Sequence, residues 1–171
     1  MLVWLNGRAA DLSIELGLKL HKMELDSKKK GNLTEMQCMA AFIAENCGVS
    51  IPFGDNSKYD FIADVDGQLL KIQVKTSSIS KNAENAIKFS CRSTHLNCKG
   101  VQNVRYTKDE IDYFATYYNG QCYLVPVTEC SAEKTLRFEP PKNGQQNKIT
   151  YAHEYALDKQ LKKLRGEIVE H

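Results

Sequence analysis

The residues best suited to chemistry lie around one short turn in the middle of the 171-residue chain. Asp66-Gly67 separates two segments that alternate apolar and polar residues, which predicts a β-hairpin with a two-residue loop. With that loop, Asp60 falls directly opposite Gln73, their Cβ atoms about 4.5–5.5 Å apart. Lys75 shares the same face, roughly 7 Å further along its strand. We therefore predict that an acid, an amide and a lysine converge at the far end of the hairpin.

The opposite face of this hairpin is almost wholly apolar, which predicts that it belongs to the core. Its members are Tyr59, Phe61, Ala63, Val65, Leu70, Ile72 and Val74. The polar face also carries Asp64 and Lys71 closer to the turn, where we expect Asp64 to be solvated. A hairpin that is apolar on one face and polar on the other would hold its polar groups rigidly.

Asp60 followed by Gln73-Val74-Lys75 resembles the PD-(D/E)XK nuclease signature, an Asp followed after a hairpin by an acid, any residue and Lys. Further segments resemble the group I intron-encoded homing endonuclease branch: Lys28–Glu35, Ser50–Gly54, Ser57–Asp60 and Tyr106–Phe114. The likeness covers residues 28 to 155. It implies an α/β (mixed α+β) fold with a restriction-endonuclease-like core, in which helices flank a central mixed β-sheet.

The resemblance implies a metal-dependent endonuclease that hydrolyses phosphodiester bonds in duplex DNA with Mg²⁺, for which Mn²⁺ can substitute. Asp60, the side-chain oxygen of Gln73 and the backbone carbonyl of Val74 would be metal ligands, because hard cations need oxygen. The bound ion polarises the phosphate and lowers the pKa of an attacking water. Lys75 would orient or deprotonate that water and offset charge in the transition state.

Two positions depart from the signature. Tyr59 replaces a Pro, which contributes only backbone shape, and Gln73 replaces the second acid. The missing negative charge should weaken Mg²⁺ binding. The homing endonuclease branch itself carries Gln at this place, so we interpret Gln73 as a marker of the branch. A catalytically inactive DNA-binding module remains an alternative.

Glu35 is the fourth predicted catalytic residue. The resemblance implies that it reaches the metal from an early helix, directly or through water. The local sequence favours another role, since Asn32 and Glu35 fit a capping box for a helix that runs to about Asn46 and is ended by Gly48. The predicted apolar stripe of that helix is Met36, Ala40, Ile43 and Cys47. Glu35 would lie about 110° from the centre of this stripe.

The charge distribution favours a polyanionic partner. The chain has a formal net charge of only +2, but nine basic and four acidic residues lie between Lys58 and Lys108. A solvated lysine-rich surface is the alternative. The residues predicted to contact double-stranded DNA are Lys58, Lys71, Ser77, Arg92 and Lys108. Double-strand cutting needs two active sites, so we expect a homodimer or homotetramer. A Holliday-junction-resolvase-like or host-defence nuclease is the alternative enzyme.

The remaining segments predict the domain organisation. Residues 1–27 should form an N-terminal helical extension with a helix from Arg8 to Leu25, residues 28–155 the nuclease domain, and residues 156–171 a C-terminal helical tail. Further predicted elements are strands Val49–Phe53, Ala86–Ser93, Asp112–Tyr118, Gln121–Val127 and Leu136–Phe138, and a helix Tyr151–Leu164. Asn119-Gly120 should form a second hairpin turn.

The six cysteines form no CxxC pair, and no apolar run is long enough for a signal peptide or a membrane-spanning helix. We therefore expect reduced thiols, a cytoplasmic location and no membrane partner.

Overall fold

The computed structural model describes residues 26–54, 56–81, 83, 85–97, 100–141 and 149–167. The chain divides into two compact units, Met1–Lys30 and Gly31–His171. Of the first unit, the described residues are 26–30, which cap and begin a helix. The predicted helix from Arg8 to Leu25 lies outside the described residues.

The secondary structure consists of two α-helices, ten strands and two short 3-10 helices in the described part of the chain. In chain order the elements are α1 (Ser27–Ala44), β1 (Gly48–Ser50), β2 (Phe61–Val65), β3 (Gln68–Val74), β4 (Ser78–Ile79), β5 (Ala86–Ser90), β6 (Arg92–Asn97), β7 (Gly100–Arg105), β8 (Tyr113–Tyr118), β9 (Gln121–Pro126), a 3-10 helix (Val127–Glu129), β10 (Glu133–Arg137), a second 3-10 helix (Ala152–Tyr155) and α2 (Leu157–Leu164).

A mixed five-stranded sheet in the order β1-β2-β3-β8-β9 forms the centre of the second unit. Strands β3 and β8 are parallel and the other pairs are antiparallel. A three-stranded antiparallel sheet has the order β10-β5-β4, and β6 pairs with β7 as a separate two-stranded ribbon. The predicted class, a mixed α/β fold with a central mixed sheet and flanking helices, is confirmed.

The central hairpin has the predicted register. Val65 pairs with Gln68 and Phe61 pairs with Ile72. Asp66 and Gly67 form the loop with φ of 52° and 91°. Two consecutive positive φ values are typical of a type I′ turn, whose twist matches that of the strands it joins. This turn fixes which side chains face each other along the whole hairpin.

Two apolar clusters cover the two faces of the five-stranded sheet. The first includes Phe42 from α1, Leu157 and Leu161 from α2, and the apolar face of the hairpin. The second lies toward the three-stranded sheet and includes Phe89 and Phe114. The hairpin face predicted to be core is therefore buried, except that Tyr59 is only partly buried and packs against the second cluster.

Helix α1 begins earlier than predicted. Asp26 caps it by accepting the backbone N–H of Lys29 at 2.8 Å, so the capping box of Asn32 and Glu35 is wrong. Asn32 lies inside the helix, because the run of lysines before it is helical as well.

The predicted end and apolar stripe of α1 are also wrong. Asn46, with φ of 60°, ends the helix in place of Gly48, and the N–H of Cys47 donates to the carbonyl of Phe42 at 3.0 Å in a Schellman motif. The buried residues are Thr34, Cys38 and Phe42, whereas Met36 and Ile43 are 66% and 59% exposed. Two stripes run along this helix, and contacts with the sheet decide which of them is buried.

Smaller differences occur at other elements. The predicted strand Ala86–Ser93 divides at Cys91, whose backbone N–H donates to Ala132 at 2.9 Å. The first strand ends at Ser50, before Pro52, and the C-terminal helix is divided into a 3-10 turn and α2. The hairpin at Asn119-Gly120 and the short strand around Leu136 are confirmed. No helix in the described ranges is long and apolar enough to cross a membrane.

Candidate active site

Asp60 is fixed at the open end of the hairpin by the strand opposite it. Its Oδ2 accepts the side-chain N–H of Gln73 and the backbone N–H of Val74, both at 2.6 Å. Its own N–H donates to the carbonyl of Ile72 at 2.8 Å, which continues the ladder beyond the strand. Asp60 and Gln73 therefore face each other as the register predicts.

Helix α1 brings Glu35 to the same place. With Thr34, Cys38 and Phe42 buried, Glu35 lies about 60° from the centre of the buried face, closer to the sheet than predicted. The hydroxyls of Thr34 and Thr76 are 3.3 Å apart and tie the helix to the end of the strand segment that carries the lysine. Glu35 does not cap the helix, and its side chain lies near Asp60.

The two carboxyl groups are held where ionisation is unfavourable. Burial raises the pKa of Glu35, and the negative charge of Asp60 raises it further. Burial also raises the pKa of Asp60, against the opposing effects of the Val74 N–H, the Lys75 charge and the Gln73 amide. Two acids that resist ionisation side by side would be stabilised as anions by a cation between them.

Lys75 approaches the carboxylates from the strand end but forms no ion pair in the described part of the structure. Its backbone N–H donates to Ala115 at 2.9 Å, which extends the parallel pairing of β3 with β8. Its ammonium donates to the hydroxyl of Tyr106 at 3.3 Å and lies 5.0 Å from the centre of that ring. The lysine is thus placed by a tyrosine.

The donor atoms at this site fit a hard divalent ion. They are oxygens of Asp60 and Glu35 and the carbonyl of Val74, the ligand type that Mg²⁺ and Mn²⁺ prefer. The amide nitrogen of Gln73 donates to Asp60 at 2.6 Å and to the Val74 carbonyl at 3.2 Å, so one positive dipole already lies between two of these oxygens. Among the residues described, no group of three or more His, Cys, Asp or Glu side chains is arranged to hold a metal ion.

The residues predicted to contact DNA lie on several different elements of the fold. The ammonium of Lys71 donates to the carbonyl of Asp109 at 2.9 Å, and its backbone N–H donates to Asp112 at 2.8 Å. Lys58 and Lys108 are exposed on loops. Lys71 is therefore tied to the segment that precedes β8.

Two other predicted contacts occupy different positions. Ser77, two residues beyond Lys75, has a buried hydroxyl without a hydrogen-bond partner in the described structure. Arg92 is half-buried at the base of the two-stranded ribbon, directly opposite Arg105. Like charges across a strand pair are unfavourable, so a nearby anion would stabilise this pair.

Tyr106 is the residue of this site that the sequence did not reveal. It belongs to a segment that resembles the homing endonuclease branch, but it lies 31 residues from Lys75. Neither periodicity nor spacing indicates which lysine it would meet, because the intervening chain forms four strands of two other sheets.

Comparisons with known proteins identify the family to which the chain belongs. A family model described as PD-(D/E)XK endonuclease matches residues 25–158, so the chain belongs to that family. Among solved structures it is similar to the bacterial homing endonuclease I-Ssp6803I, with 25% sequence identity and a TM-score of 0.65. The similarity covers 84% of this chain and 100% of that one. No curated protein matches the chain. The resemblance to PD-(D/E)XK and homing endonucleases is confirmed.

Proposed function

We propose that this protein is a Mg²⁺-dependent endonuclease that hydrolyses phosphodiester bonds in duplex DNA, as the homing endonuclease similarity suggests. The observation that carries the proposal is the convergence of Glu35, Gln73 and Lys75 on Asp60. The family membership supports hydrolysis of nucleic acid, and the oxygen donor set supports a hard cation.

The metal-holding residues would be Asp60, Glu35, Gln73 and the Val74 carbonyl. Since the Gln73 nitrogen now lies against two of the other donors, its amide must rotate to present oxygen to a cation. Asp60 would keep the backbone N–H of Val74 on Oδ2 and offer its other oxygen. Mg²⁺ bound here would polarise the scissile phosphate and acidify a water, and Mn²⁺ could replace it.

Lys75 would supply the positive charge on the far side of the reacting phosphate. It is near enough to Asp60 to lower that carboxyl's pKa, yet it is not neutralised by an ion pair with Asp60. Its ammonium would orient the attacking water and offset the charge that develops on the phosphoryl oxygens. A water could lose its proton to Lys75 only if the lysine first gave up its own.

The DNA would be held by residues around this group. We propose contacts to phosphates from Lys58, Lys71, Ser77, Arg92 and Lys108. The buried, unpartnered hydroxyl of Ser77 and the opposed Arg92 and Arg105 support such contacts. Lys71 would first have to release the carbonyl of Asp109.

Cutting both strands would require a second copy of the chain, so we propose a homodimer or homotetramer. The exposed stripe of Leu33, Met36, Ala40 and Ile43 supports pairing through α1, since its 3-4-3 spacing is that of a two-helix seam. We also propose the division into residues 1–27, 28–155 and 156–171 as extension, nuclease domain and tail.

A cleavage assay on the full chain tests the proposed function. A plasmid library with random inserts, a four-way junction and single strands are incubated with Mg²⁺, Mn²⁺ or EDTA, and the ends of the products are sequenced. We expect metal-dependent double-strand breaks at recurring sites. Asp60→Asn should abolish them, whereas Asp64→Asn, an acid on the same hairpin face beside the turn, should not.

Other outcomes would replace the proposal. Preferential cutting of junctions would indicate a resolvase-like enzyme. DNA binding without cleavage under any metal would indicate an inactive binding module. Cleavage that persists in EDTA would contradict metal dependence.

A further inference from the structure

The ammonium of Lys75 contacts the side chain of Tyr106 in two ways. Tyr106 offers it both a hydroxyl acceptor at 3.3 Å and a ring face at 5.0 Å. A lysine side chain has four rotatable bonds, so a free ammonium samples many positions. No carboxylate ion pair restrains this one in the described structure.

Tyr106 is itself held from three directions. It directly follows β7, and its ring packs edge-to-face on the fully buried Phe114, with centroids 5.4 Å apart. The turn after it is closed by Glu110, which accepts the backbone N–H of Thr107 at 2.9 Å. Ile111, fully buried, anchors the far end of that turn. The ring of Tyr106 and the backbone on both sides of it are therefore restrained by the fold.

We propose that Tyr106 is a positioning residue for Lys75 in the phosphodiester hydrolysis proposed above. Its hydroxyl oxygen accepts one ammonium N–H, and its ring faces the cation, which leaves two N–H groups for the phosphate and the attacking water. Strand β7 and the Thr107–Ile111 turn flank Tyr106 in the chain and hold its backbone. The catalytic consequence rests on the proposed function, but the restraint on the ammonium does not.

Two substitutions separate the contributions of the hydroxyl and the ring. Tyr106→Phe removes the hydrogen bond and keeps the ring, and Tyr106→Leu removes both. We expect kcat to fall about 10-fold for Phe and about 100-fold for Leu, since small misplacements of catalytic groups cost rates of this order. KM, Mg²⁺ affinity and the free energy of unfolding should be unchanged in the Phe variant. Tyr118→Phe is the matched control, because its ring stacks on Phe138 and the ring and hydroxyl that Lys75 contacts in the described structure belong to Tyr106.

Lysine-selective ¹⁵N NMR of the intact protein without DNA provides a readout that does not need activity. We expect the ammonium signal of Lys75 to become more mobile in Tyr106→Phe and to remain unchanged in Tyr118→Phe. An unchanged Lys75 signal, or a kcat equal to that of the wild type, would overturn the proposal. If the wild type does not cleave DNA, the proposed function fails, and the NMR result alone decides whether Tyr106 restrains Lys75.

Discussion

Two clusters in this protein combine the same three side chains, a lysine, a tyrosine and a carboxylate, with opposite results. The ammonium of Lys134 lies 4.7 Å from the ring centre of Tyr155 and 3.5 Å from its hydroxyl. The corresponding distances from Lys75 to Tyr106 are 5.0 and 3.3 Å. The lysine–tyrosine geometry is therefore almost the same in both clusters, and the acids make the difference.

We call the cluster of Lys134, Tyr155 and Glu129 the closed cluster, because its charges are paired with each other. Glu129 forms an ion pair with Lys134 at 3.4 Å, and the hydroxyl of Tyr155 donates to the same carboxylate. Burial raises the pKa of Tyr155. The hydrogen bond to Glu129 and the negative charge of that carboxylate raise this pKa further. Each charge has a partner, so the cluster supports the fold and has little to offer a ligand.

We call the cluster of Lys75, Tyr106, Glu35 and Asp60 the open cluster, because its lysine and its two acids form no ion pair in the described structure. Burial raises the pKa of both carboxyl groups, which lie next to each other. Such an arrangement costs stability and persists where a ligand compensates for it. Comparison of the two clusters indicates that unmatched charge, more than residue type, distinguishes the candidate active site from the Lys134 cluster.

The largest expected effect is on cleavage by the open cluster. Lys75→Met should lower the cleavage rate about 100- to 1000-fold, the usual result of removing one preorganised electrostatic contact. The free energy of unfolding should change little, because the ammonium of Lys75 forms no ion pair in the described structure. Single-turnover cleavage and urea unfolding check the two parts. A large loss of unfolding free energy in Lys75→Met would contradict the distinction, because Lys75 would then stabilise the fold as Lys134 does.

The reverse pattern is expected for the closed cluster. Lys134→Met should lower the free energy of unfolding by about 2 kcal/mol, less than for a fully buried pair. Glu129 is 44% exposed and water can partly replace the lost partner. Cleavage per folded molecule should equal that of the wild type. Urea unfolding and active-site titration measure these quantities, and a large loss of cleavage would remove the distinction between the clusters.

Gln73→Glu should increase the difference in charge between the two clusters, because it adds a carboxylate opposite Asp60 on the hairpin. We expect divalent ion affinity to increase about tenfold, because affinity of oxygen sites rises with ligand charge. The amide donor to Asp60 is lost, so stability without metal should fall. Calorimetric titration with Mg²⁺ tests the gain, with Gln68→Glu, an exposed glutamine on the same strand, as the control. Unchanged affinity would mean that this side chain is not a ligand.

The smallest effect concerns stability and pH. An acid whose folded pKa is raised destabilises the fold above that pKa, and the cost disappears below the unfolded pKa. Glu35→Gln should therefore stabilise the metal-free protein at neutral pH, and the gain should vanish as pH falls below the ordinary glutamate value of 4.5. Urea unfolding from pH 4 to 8 measures the difference, with Glu45→Gln as the control. A gain independent of pH would contradict the burial of a charged Glu35.

The open cluster could be predicted from the sequence because it depends on a local rule. The Asp66-Gly67 turn determines the register, and the register places Asp60 opposite Gln73. Side-chain alternation then assigns the core face. Such short-range constraints can be predicted from the local sequence, because they do not depend on contacts with the rest of the fold.

The partners from elsewhere in the chain could not be predicted in the same way. Helix α1 has two stripes of apolar residues, and only packing of Cys38 and Phe42 on the sheet shows which one is buried. The position of Glu35 follows from that choice. Tyr106 reaches Lys75 through tertiary packing, because its ring lies against Phe114 on β8, and β8 pairs with the strand that leads to Lys75. Long-range contacts of this kind leave no periodic signal.

The most direct test of the open cluster is a calorimetric titration of the full chain with Mn²⁺ in the absence of DNA. One ion per chain is expected, with binding lost in Asp60→Asn and weakened in Glu35→Gln. Glu129→Gln, in the closed cluster, should bind like the wild type. If Asp60→Asn binds the ion as tightly as the wild type does, the metal is not held by this cluster and the proposed active site is wrong.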